Sequence, residues 1–457
     1  MNIKALARFG VGRVAATTFS FIESVYKSKR ARNVLRTVVP AQLRHHVIAR
    51  IKSLRYIAPK LDVDLAHSLA DKDFVIIVNT YPGVDGRYGG EFVQSRAKAY
   101  LQAGYRGAAV ELNRSNARTS SETHGNFLVL RLHAAHSGVL AAKLAQLPTT
   151  VLAHSPTPAL QSALMARVPS SRLVFFYHGF DVRDYRRLSF NYTTQSLAPQ
   201  RKMLDETNRE RHSVALTAFQ DNALRKVFVS NFLRDLAQCD VKTQATNSHI
   251  VPNFIDGELY RARAREASEV KNILLLRSFS RRNYGNDIAI EALRIVSTWP
   301  GFDNLNITIR GFGDGFEETV LPLRNRKNVV IENRYSTSEE MAELYDTHGV
   351  FLCPSRFETQ GVTLGQAMAS GLVCVTNDIP GLSEFVDDSC VVLAKPDDPL
   401  DFAKAIWSLV SKPEYMPQLS AAASRRVRAQ CGYESTVAKE IALFAQQSSS
   451  EQSELSR

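Results

Sequence analysis

The chain has 457 residues, of which 44% are apolar and 22% charged, and its formal net charge is +12. This length exceeds what a single hydrophobic core usually supports, so the sequence predicts at least two domains. The composition is that of an ordinary globular protein and argues against global disorder. Five scattered cysteines without paired spacing argue against a disulfide framework and against a zinc site.

The positive charge is concentrated at the start of the chain. Residues 1–60 carry thirteen Lys and Arg against one acid, Glu23, while the rest holds 44 residues of each sign and is neutral. Within 1–70 we predict a basic amphipathic extension, whose short apolar runs between cations are typical of a helix on an anionic membrane surface. A solvated basic helix packed on the body and an organellar transit peptide are the alternatives. Nucleic-acid binding is not expected, because no recognised binding fold accompanies the charge.

No run approaches 18 uncharged apolar residues, so we expect no transmembrane helix. The sequence thus predicts a cytoplasmic protein that is peripheral on the inner face of the membrane.

The first half of the body alternates short apolar runs with stretches of helical periodicity. We predict a helix over 91–104 and buried strands over the following ranges: 74–82, 108–112, 149–155, 173–180 and 226–230. Strands that alternate with helices predict a parallel sheet covered on both faces.

A Pro/Asn/Gly-containing segment near residues 251–270 interrupts this alternation, which then restarts. Further buried strands are predicted over 272–279, 307–315, 328–334, 349–355 and 372–378. The fold class is therefore α/β, with two Rossmann-like domains over 71–258 and 268–432 whose parallel sheets face each other across a cleft. Open sheets of this kind bind ligands at the carboxyl ends of their strands.

The segment from Gly349 to Val386 carries the richest chemistry. A buried strand is followed by a carboxylate, Glu358, and then by Gly361, which opens a helix. The start of a helix offers free backbone N–H groups and a positive dipole end, both of which favour an anion. Glu358 can accept hydrogen bonds from sugar hydroxyls. The segment predicts a pocket for a phosphate and a sugar.

This segment resembles the signature of retaining GT-B glycosyltransferases of the family 4, or group 1, type. The matching residues are Pro354, Ser355, Glu358, Gly361, Ala367, Ala369, Gly371, Val375 and Gly381. Weaker similarities lie in register over about residues 74–445: Gly89–Gly90, His178–Gly179, the linker 251–260, the Arg310–Gly313 turn and the approach 338–355.

The resemblance implies a GT-B fold whose first domain faces the acceptor and whose last segment, 433–457, is a helix returning toward that domain with a frayed tail. It also implies a role for each matched site residue. Glu358 and His178 would hold the donor sugar, and Arg277 the diphosphate. The remaining donor-binding residues would be Gly89, Gly90, Arg281, Arg282, Gly313, Gly361 and Gln366.

Two positions depart from the family pattern. Gln366 stands where the family has a second glutamate that holds the ribose, and an amide can still both accept and donate there. Tyr284 stands where the family has a lysine that completes the diphosphate clamp. Arg281 or Arg282, in the same loop, could supply that cation, and a planar guanidinium suits a diphosphate.

The function implied is metal-independent, retaining transfer of a sugar from a nucleoside-diphosphate sugar to a glycan or lipid-linked acceptor in surface polysaccharide or glycoconjugate biosynthesis. No cofactor and no metal are expected; the Asp62–Asp64 pair is interpreted as a solvated linker, and His133, His136 and His154 as structural. The alternatives are a non-catalytic GT-B binding or scaffold protein and, less favoured, a nucleotide-sugar 2-epimerase, which shares the architecture but lacks the Glu358 signature.

Overall fold

The computed structural model describes residues 61–83, 89–116 and 118–454, with side chains described up to residue 445. The membrane-surface prediction for residues 1–60 therefore lies outside the described residues. Within the described part, the helices are too short or too polar to cross a lipid bilayer.

The first unit contains eight strands. They are β1 (Phe74–Val78), β2 (Gly107–Asn113), β3 (Ser120–His124), β4 (Phe127–His133), β5 (Thr150–His154), β6 (Leu173–Tyr177), β7 (Arg225–Phe228) and β8 (Ser248–Ile250). Helices cover this sheet and connect its strands. They are α1 (Leu65–Leu69), α2 (Glu91–Gln102), α3 (Ser137–Leu144), α4 (Pro158–Met165), α5 (Thr194–Leu197), α6 (Arg201–Gln220) and α7 (Asn231–Val241).

The second unit contains six strands. They are β9 (Asn272–Ser278), β10 (Asn306–Phe312), β11 (Val329–Asn333), β12 (Val350–Cys353), β13 (Val373–Asn377) and β14 (Val392–Ala394). Its helices are α8 (Asn286–Val296), α9 (Phe316–Val320), α10 (Ser338–Thr347), α11 (Val362–Ala369), α12 (Pro399–Ser411), α13 (Met416–Cys431) and α14 (Val437–Glu454).

Both sheets have the strand order of a doubly wound fold. The first runs β3-β4-β2-β1-β5-β6-β7-β8 and the second β11-β10-β9-β12-β13-β14. In each, the order reverses beside the first strand of the unit, and crevices for ligands form at such switch points. The prediction of an α/β fold with two parallel-sheet, Rossmann-like domains is confirmed.

One strand departs from the expected parallel arrangement. β3 pairs antiparallel with β4 at the edge of the first sheet, and the hairpin turns at Gly125, whose φ is +64°. The sequence of β3, Ser-Ser-Glu-Thr-His, is polar and largely exposed. It therefore lacks the apolar run by which the buried strands are recognised, since an edge strand is not required to bury both of its faces.

The last helix, α14, packs against the first unit. The ring of Phe444 contacts the rings of Phe74, Tyr100 and Tyr105 at centroid distances of 5.8, 5.3 and 5.2 Å. Glu440 accepts hydrogen bonds from Nε of Arg96, at 2.9 Å, and from the hydroxyl of Tyr100. The chain thus crosses back to its first unit after completing the second.

The pair formed by Arg96 and Glu440 provides a test of this packing. Both side chains are fully buried, and removing one member of a buried pair leaves the other charge without compensation. We expect Arg96→Met to lower the free energy of unfolding by about 3–5 kcal/mol, measured by urea denaturation.

Arg106→Met is the matched control, because Arg106 pairs with Asp73 on the exposed surface. Exposed pairs contribute about 0–1 kcal/mol. Equal losses in the two variants would contradict a structural role for the buried pair.

Candidate active site

Glu358 lies in the loop after β12, where it is held by an arginine from the neighbouring strand. β9 pairs with β12, so Arg277 near the end of β9 and the loop after β12 meet at the same edge of the sheet. Arg277 Nη2 donates to Glu358 Oε1 at 2.6 Å, and the Ser355 hydroxyl donates to the same oxygen at 3.1 Å. Glu358 keeps 16% of its side-chain surface exposed, whereas Arg277 keeps 3%. The arrangement presents an oriented carboxylate to the cleft.

Tyr284 covers the other side of this arginine. Its ring lies 4.9 Å from Cζ of Arg277, a distance typical of a cation–π contact. Burial raises the pKa of the Tyr284 phenol, and the charge of Glu358 raises it further. The phenol is therefore neutral at physiological pH and does not replace the positive charge of a lysine.

The two arginines expected to supply that charge are placed differently. Arg282 Nη2 donates to Asp287 Oδ2 at 3.2 Å on the surface, and Arg356 shares the same carboxylate. Arg281 is exposed and makes no salt bridge with any residue that the structure describes. Of the two, Arg281 is the one without an ion-pair partner among the described residues.

Glycines allow backbone segments to approach closely around this edge. Gly361 caps the start of α11 at φ +82°, and a Cβ there would lie 2.8 Å from Leu382 Cδ2. Gly313, at φ +149°, brings the loop after β10 against the loop after β9, because its Cβ would lie 2.4 Å from Ser280 N. Gln366 is half-buried on α11, and the structure shows no hydrogen bond from its side-chain amide within the described residues.

Gly89 and Gly90 form the corresponding turn in the first unit. Their φ values are +109° and +88°, and Gly90 caps the start of α2. A Cβ on Gly90 would lie 2.3 Å from the carbonyl oxygen of Thr80, so this approach requires glycine. The N–H of Gly89 is not free, since it donates to Glu91 Oε1 at 2.9 Å.

His178 follows β6 and is paired with a second histidine. Its Nε2 lies 3.0 Å from Nδ1 of His154, and the two rings are stacked with centroids 5.3 Å apart. Burial, and then the charge of Arg96, lowers the pKa of His178; an interaction with Asn253 opposes this shift. Its Nδ1 is buried and forms no hydrogen bond of good geometry with the described residues. The ring of His178 is therefore neutral at physiological pH.

Contacts between the units bring these groups into one cleft. The ring of Phe92, in the first turn of α2, lies 4.8 Å from the ring of His178. The hydroxyl of Thr359, the residue after Glu358, donates to the carbonyl oxygen of His178 at 3.0 Å. The glycine turn of the first unit, His178, Glu358 and Arg277 are therefore neighbours.

His154, which was interpreted as structural, is buried and contacts His178. Sequence reasoning missed two residues of this cleft. Arg183 and Arg211 had no assigned role, although both lie near Arg281. Arg183 follows the His178–Gly179 pair by four residues, and this closeness to a predicted site residue could have pointed to it. Nothing in the sequence pointed to Arg211. Among the described residues, no group of three or more His, Cys, Asp or Glu side chains is arranged to hold a metal ion.

Two doubly wound units that face each other across a cleft, with the site at their strand ends, define the GT-B fold. Residues 270–412 match the family model described as Glycosyl transferases group 1. No curated protein sequence matches the chain.

Three solved structures illustrate the likeness. Sucrose-phosphate synthase from Thermosynechococcus elongatus is 15% identical, with a TM-score of 0.63, over 82% of this chain and 99% of that one. WaaG, a glycosyltransferase involved in lipopolysaccharide biosynthesis, is 16% identical, with a TM-score of 0.60, over 81% and 99%. Trehalose 6-phosphate synthase from Burkholderia multivorans is 12% identical, with a TM-score of 0.59, over 83% and 100%. These likenesses establish the fold.

The paired histidines predict how stability depends on pH. Burial lowers the pKa of both His154 and His178 well below 6.5. Below pH 6.5 these histidines are therefore protonated in the unfolded chain but remain neutral in the folded chain. The stabilising contribution is complete above this pH and is lost as the pH falls, by about 1.4 kcal/mol per pH unit for each histidine.

We expect His154→Gln to reduce the loss of unfolding free energy between about pH 7.5 and about pH 5.5 by roughly 1 kcal/mol, measured by denaturant titration. His67→Gln, at an exposed position, is the control and should leave the loss unchanged. If both variants behaved like the wild type, the histidine pair would not be buried in the neutral form.

Proposed function

We propose that this protein is a metal-independent, retaining glycosyltransferase that moves a sugar from a nucleoside-diphosphate sugar to a glycan or lipid-linked acceptor. Synthesis of a surface polysaccharide or other glycoconjugate is the corresponding role. The observation that carries the proposal is the position of Glu358. It lies at the ends of the C-terminal strands, is oriented by Arg277 and Ser355, and precedes the start of α11 by a few residues.

The sugar and the diphosphate of a nucleotide sugar would each meet a different kind of group in this cleft. Sugar hydroxyls can donate to Glu358, and His178 would hold the donor sugar from the facing unit. The diphosphate would lie near the start of α11, where N–H groups and the helix dipole favour negative charge. The ribose would lie against Gln366, whose amide can donate and accept.

Charge development explains why cations matter here. When the anomeric bond breaks, negative charge accumulates on the phosphate oxygens of the leaving group. Preorganised cations and backbone N–H groups stabilise that charge by several kcal/mol in a cleft from which water is excluded. In the closed arrangement, groups from both units surround the same space, so binding of the donor and closure of the cleft are expected to be coupled.

The neutral body and the basic first 60 residues support an acceptor at a membrane surface. Comparison of full-length protein with a variant that lacks residues 1–60, on vesicles with and without anionic lipid, would test it.

A donor screen tests the reaction class. Purified protein is incubated with UDP-, GDP-, ADP- and dTDP-sugars in the presence of EDTA, and both thermal stabilisation and slow donor hydrolysis are measured. We expect one nucleotide to raise the melting temperature and its sugar to be released without added metal. Hydrolysis that required a divalent cation would contradict metal independence but leave the transferase assignment intact.

The role of Glu358 predicts the effect of a single substitution. Glu358→Gln keeps the size of the side chain but removes the charge paired with Arg277. We expect donor turnover to fall by about 10²–10³-fold, with a smaller change in nucleotide affinity, measured by hydrolysis assay and calorimetry. Glu343→Gln, on the exposed face of α10, is the control. Full turnover in Glu358→Gln would remove this residue from the mechanism.

The second candidate is a non-catalytic nucleotide-sugar-binding or scaffold protein of a polysaccharide-assembly complex. The neutral Tyr284 against Arg277 favours it, because this contact occupies the place where a second cation would serve the leaving group. Nucleotide binding without hydrolysis or transfer from any donor would support this alternative.

A further inference from the structure

Three arginines converge where the two units meet. Arg183 lies in the loop after β6, Arg211 on α6, and Arg281 in the loop after β9. Each is close enough to influence the ionisation of another member of the group. Within the described part of the chain, none of the three forms a salt bridge or a side-chain hydrogen bond. We refer to them as the cleft arginines.

Aromatic rings hold two of these side chains in place. Cζ of Arg183 lies 4.8 Å from the ring of Phe357, which directly precedes Glu358. Cζ of Arg211 lies 5.1 Å from the ring of Phe180, which is 47% exposed. Ring contacts fix a guanidinium plane while leaving its N–H groups free to donate. Both side chains are thus oriented without being neutralised.

Room for Arg183 depends on a glycine. Gly179 has a φ of +129°, and a Cβ at this position would lie 3.4 Å from Nη1 of Arg183 and 3.0 Å from Cγ2 of Thr359. The guanidinium therefore lies against the turn after β6, between that turn and the loop that carries Glu358. The backbone of these two segments therefore fixes the position of the Arg183 guanidinium in the cleft.

The positive charges of the cleft arginines repel one another. Burial lowers the pKa of Arg183, and the charges of Arg281 and Arg211 lower it further. The charges of Asp181 and Glu358 oppose this effect. Both acids have other partners, because the two oxygens of Asp181 accept N–H groups of His178 and Gly179, at 3.1 and 2.8 Å, and Glu358 is paired with Arg277. Arg183 and Arg211 are half-buried, and like charges held close together there cost free energy that a bound anion would recover.

The cleft arginines come together only when the two units are in contact. Arg183 and Arg211 belong to the first unit and Arg281 to the second. The units are joined beside them by Asn283 N, which donates to Asn191 Oδ1 at 3.1 Å. Opening the cleft would separate Arg281 from the other two and would also relieve their repulsion. An anion bound among them would favour the closed state.

We propose that Arg183, Arg211 and Arg281 bind a phosphoryl group in the closed cleft. This inference rests on the proposed function for the source of that group, which is either the diphosphate of the donor or a phosphate ester on the acceptor. Arginine suits both, because its planar fork can donate two parallel hydrogen bonds to phosphate oxygens. Binding would draw the two units together around the sugar.

Calorimetry with full-length protein and inorganic pyrophosphate or orthophosphate tests the site directly. Arg183→Gln and Arg211→Gln are each expected to weaken binding by roughly tenfold or more, the loss typical of one charge-assisted contact. Arg186→Gln and Arg209→Gln are matched controls, since both side chains are exposed in the same elements and should leave affinity unchanged. Circular dichroism and melting temperature establish that each variant is folded.

Nucleotides then identify the source of the phosphoryl group. If it is the donor diphosphate, the cleft variants will lose affinity for the nucleoside diphosphate but keep that for the monophosphate. If it belongs to the acceptor, nucleoside diphosphate affinity will be unchanged, whereas KM for a phosphorylated acceptor will rise with little change for an uncharged one.

Wild-type affinity of both cleft variants for pyrophosphate, orthophosphate and the nucleoside diphosphate would overturn the inference, as would a wild-type protein that binds none of these anions. Failure of the proposed function is distinguishable. In that case no nucleotide sugar would bind or be hydrolysed, while the effect of the cleft variants on pyrophosphate would still be measurable.

Discussion

The buried guanidinium of Arg96 connects the parts of the chain on which the cleft depends. It donates to Glu440 of the last helix and, through Nη1, to Asn253 Oδ1 at 3.0 Å in the segment between the two units. Asn253 Nδ2 donates in turn to Gln360 Oε1 at 2.7 Å, two residues beyond Glu358. The return of the chain to its first unit is thus linked by hydrogen bonds to the loop that carries the candidate carboxylate. The charge of Arg96 also lowers the pKa of His178, so one side chain acts on both packing and site chemistry.

Several of the contacts between the units beside the cleft are polar, which suits a cleft that opens and closes. Ser230 donates through its hydroxyl to the carbonyl oxygen of Thr359 at 2.7 Å. Glu384 accepts from the N–H of Asn231 at 3.0 Å and from that of Phe232, at the start of α7. A carboxylate at a helix N-terminus is favoured by the dipole but exchanges readily with water at an exposed position. Closure can therefore be stabilised by ligand without requiring a large apolar interface.

The sequence was most informative where burial constrains both faces of an element. The apolar runs that became β1, β5, β6 and β9 predicted the two sheets, because a central parallel strand must be apolar throughout. The polar strand β3 was missed for the converse reason. Local patterns also located Glu358 and Gly361, but not what would surround them. Contacts between residues on separate strands depend on how those strands align, and this information is not local in the sequence. The contact between His154 and His178 and the packing of Tyr284 on Arg277 are examples.

The distribution of positive charge around the cleft follows from one such long-range arrangement. Arg277 was expected to meet the diphosphate, yet its guanidinium lies between Tyr284 and Glu358 and is partly neutralised there. Because the guanidinium of Arg277 is paired with the carboxylate of Glu358, it stabilises negative charge on a leaving group less strongly. The cations that have no ion-pair partner among the described residues lie instead on the facing side, at Arg183 and Arg211, and at Arg281 beside Tyr284. A site that splits its cations between two units stabilises negative charge fully only when the cleft is closed. Water would be excluded at the same moment, and the same groups would then act in a medium of lower dielectric constant.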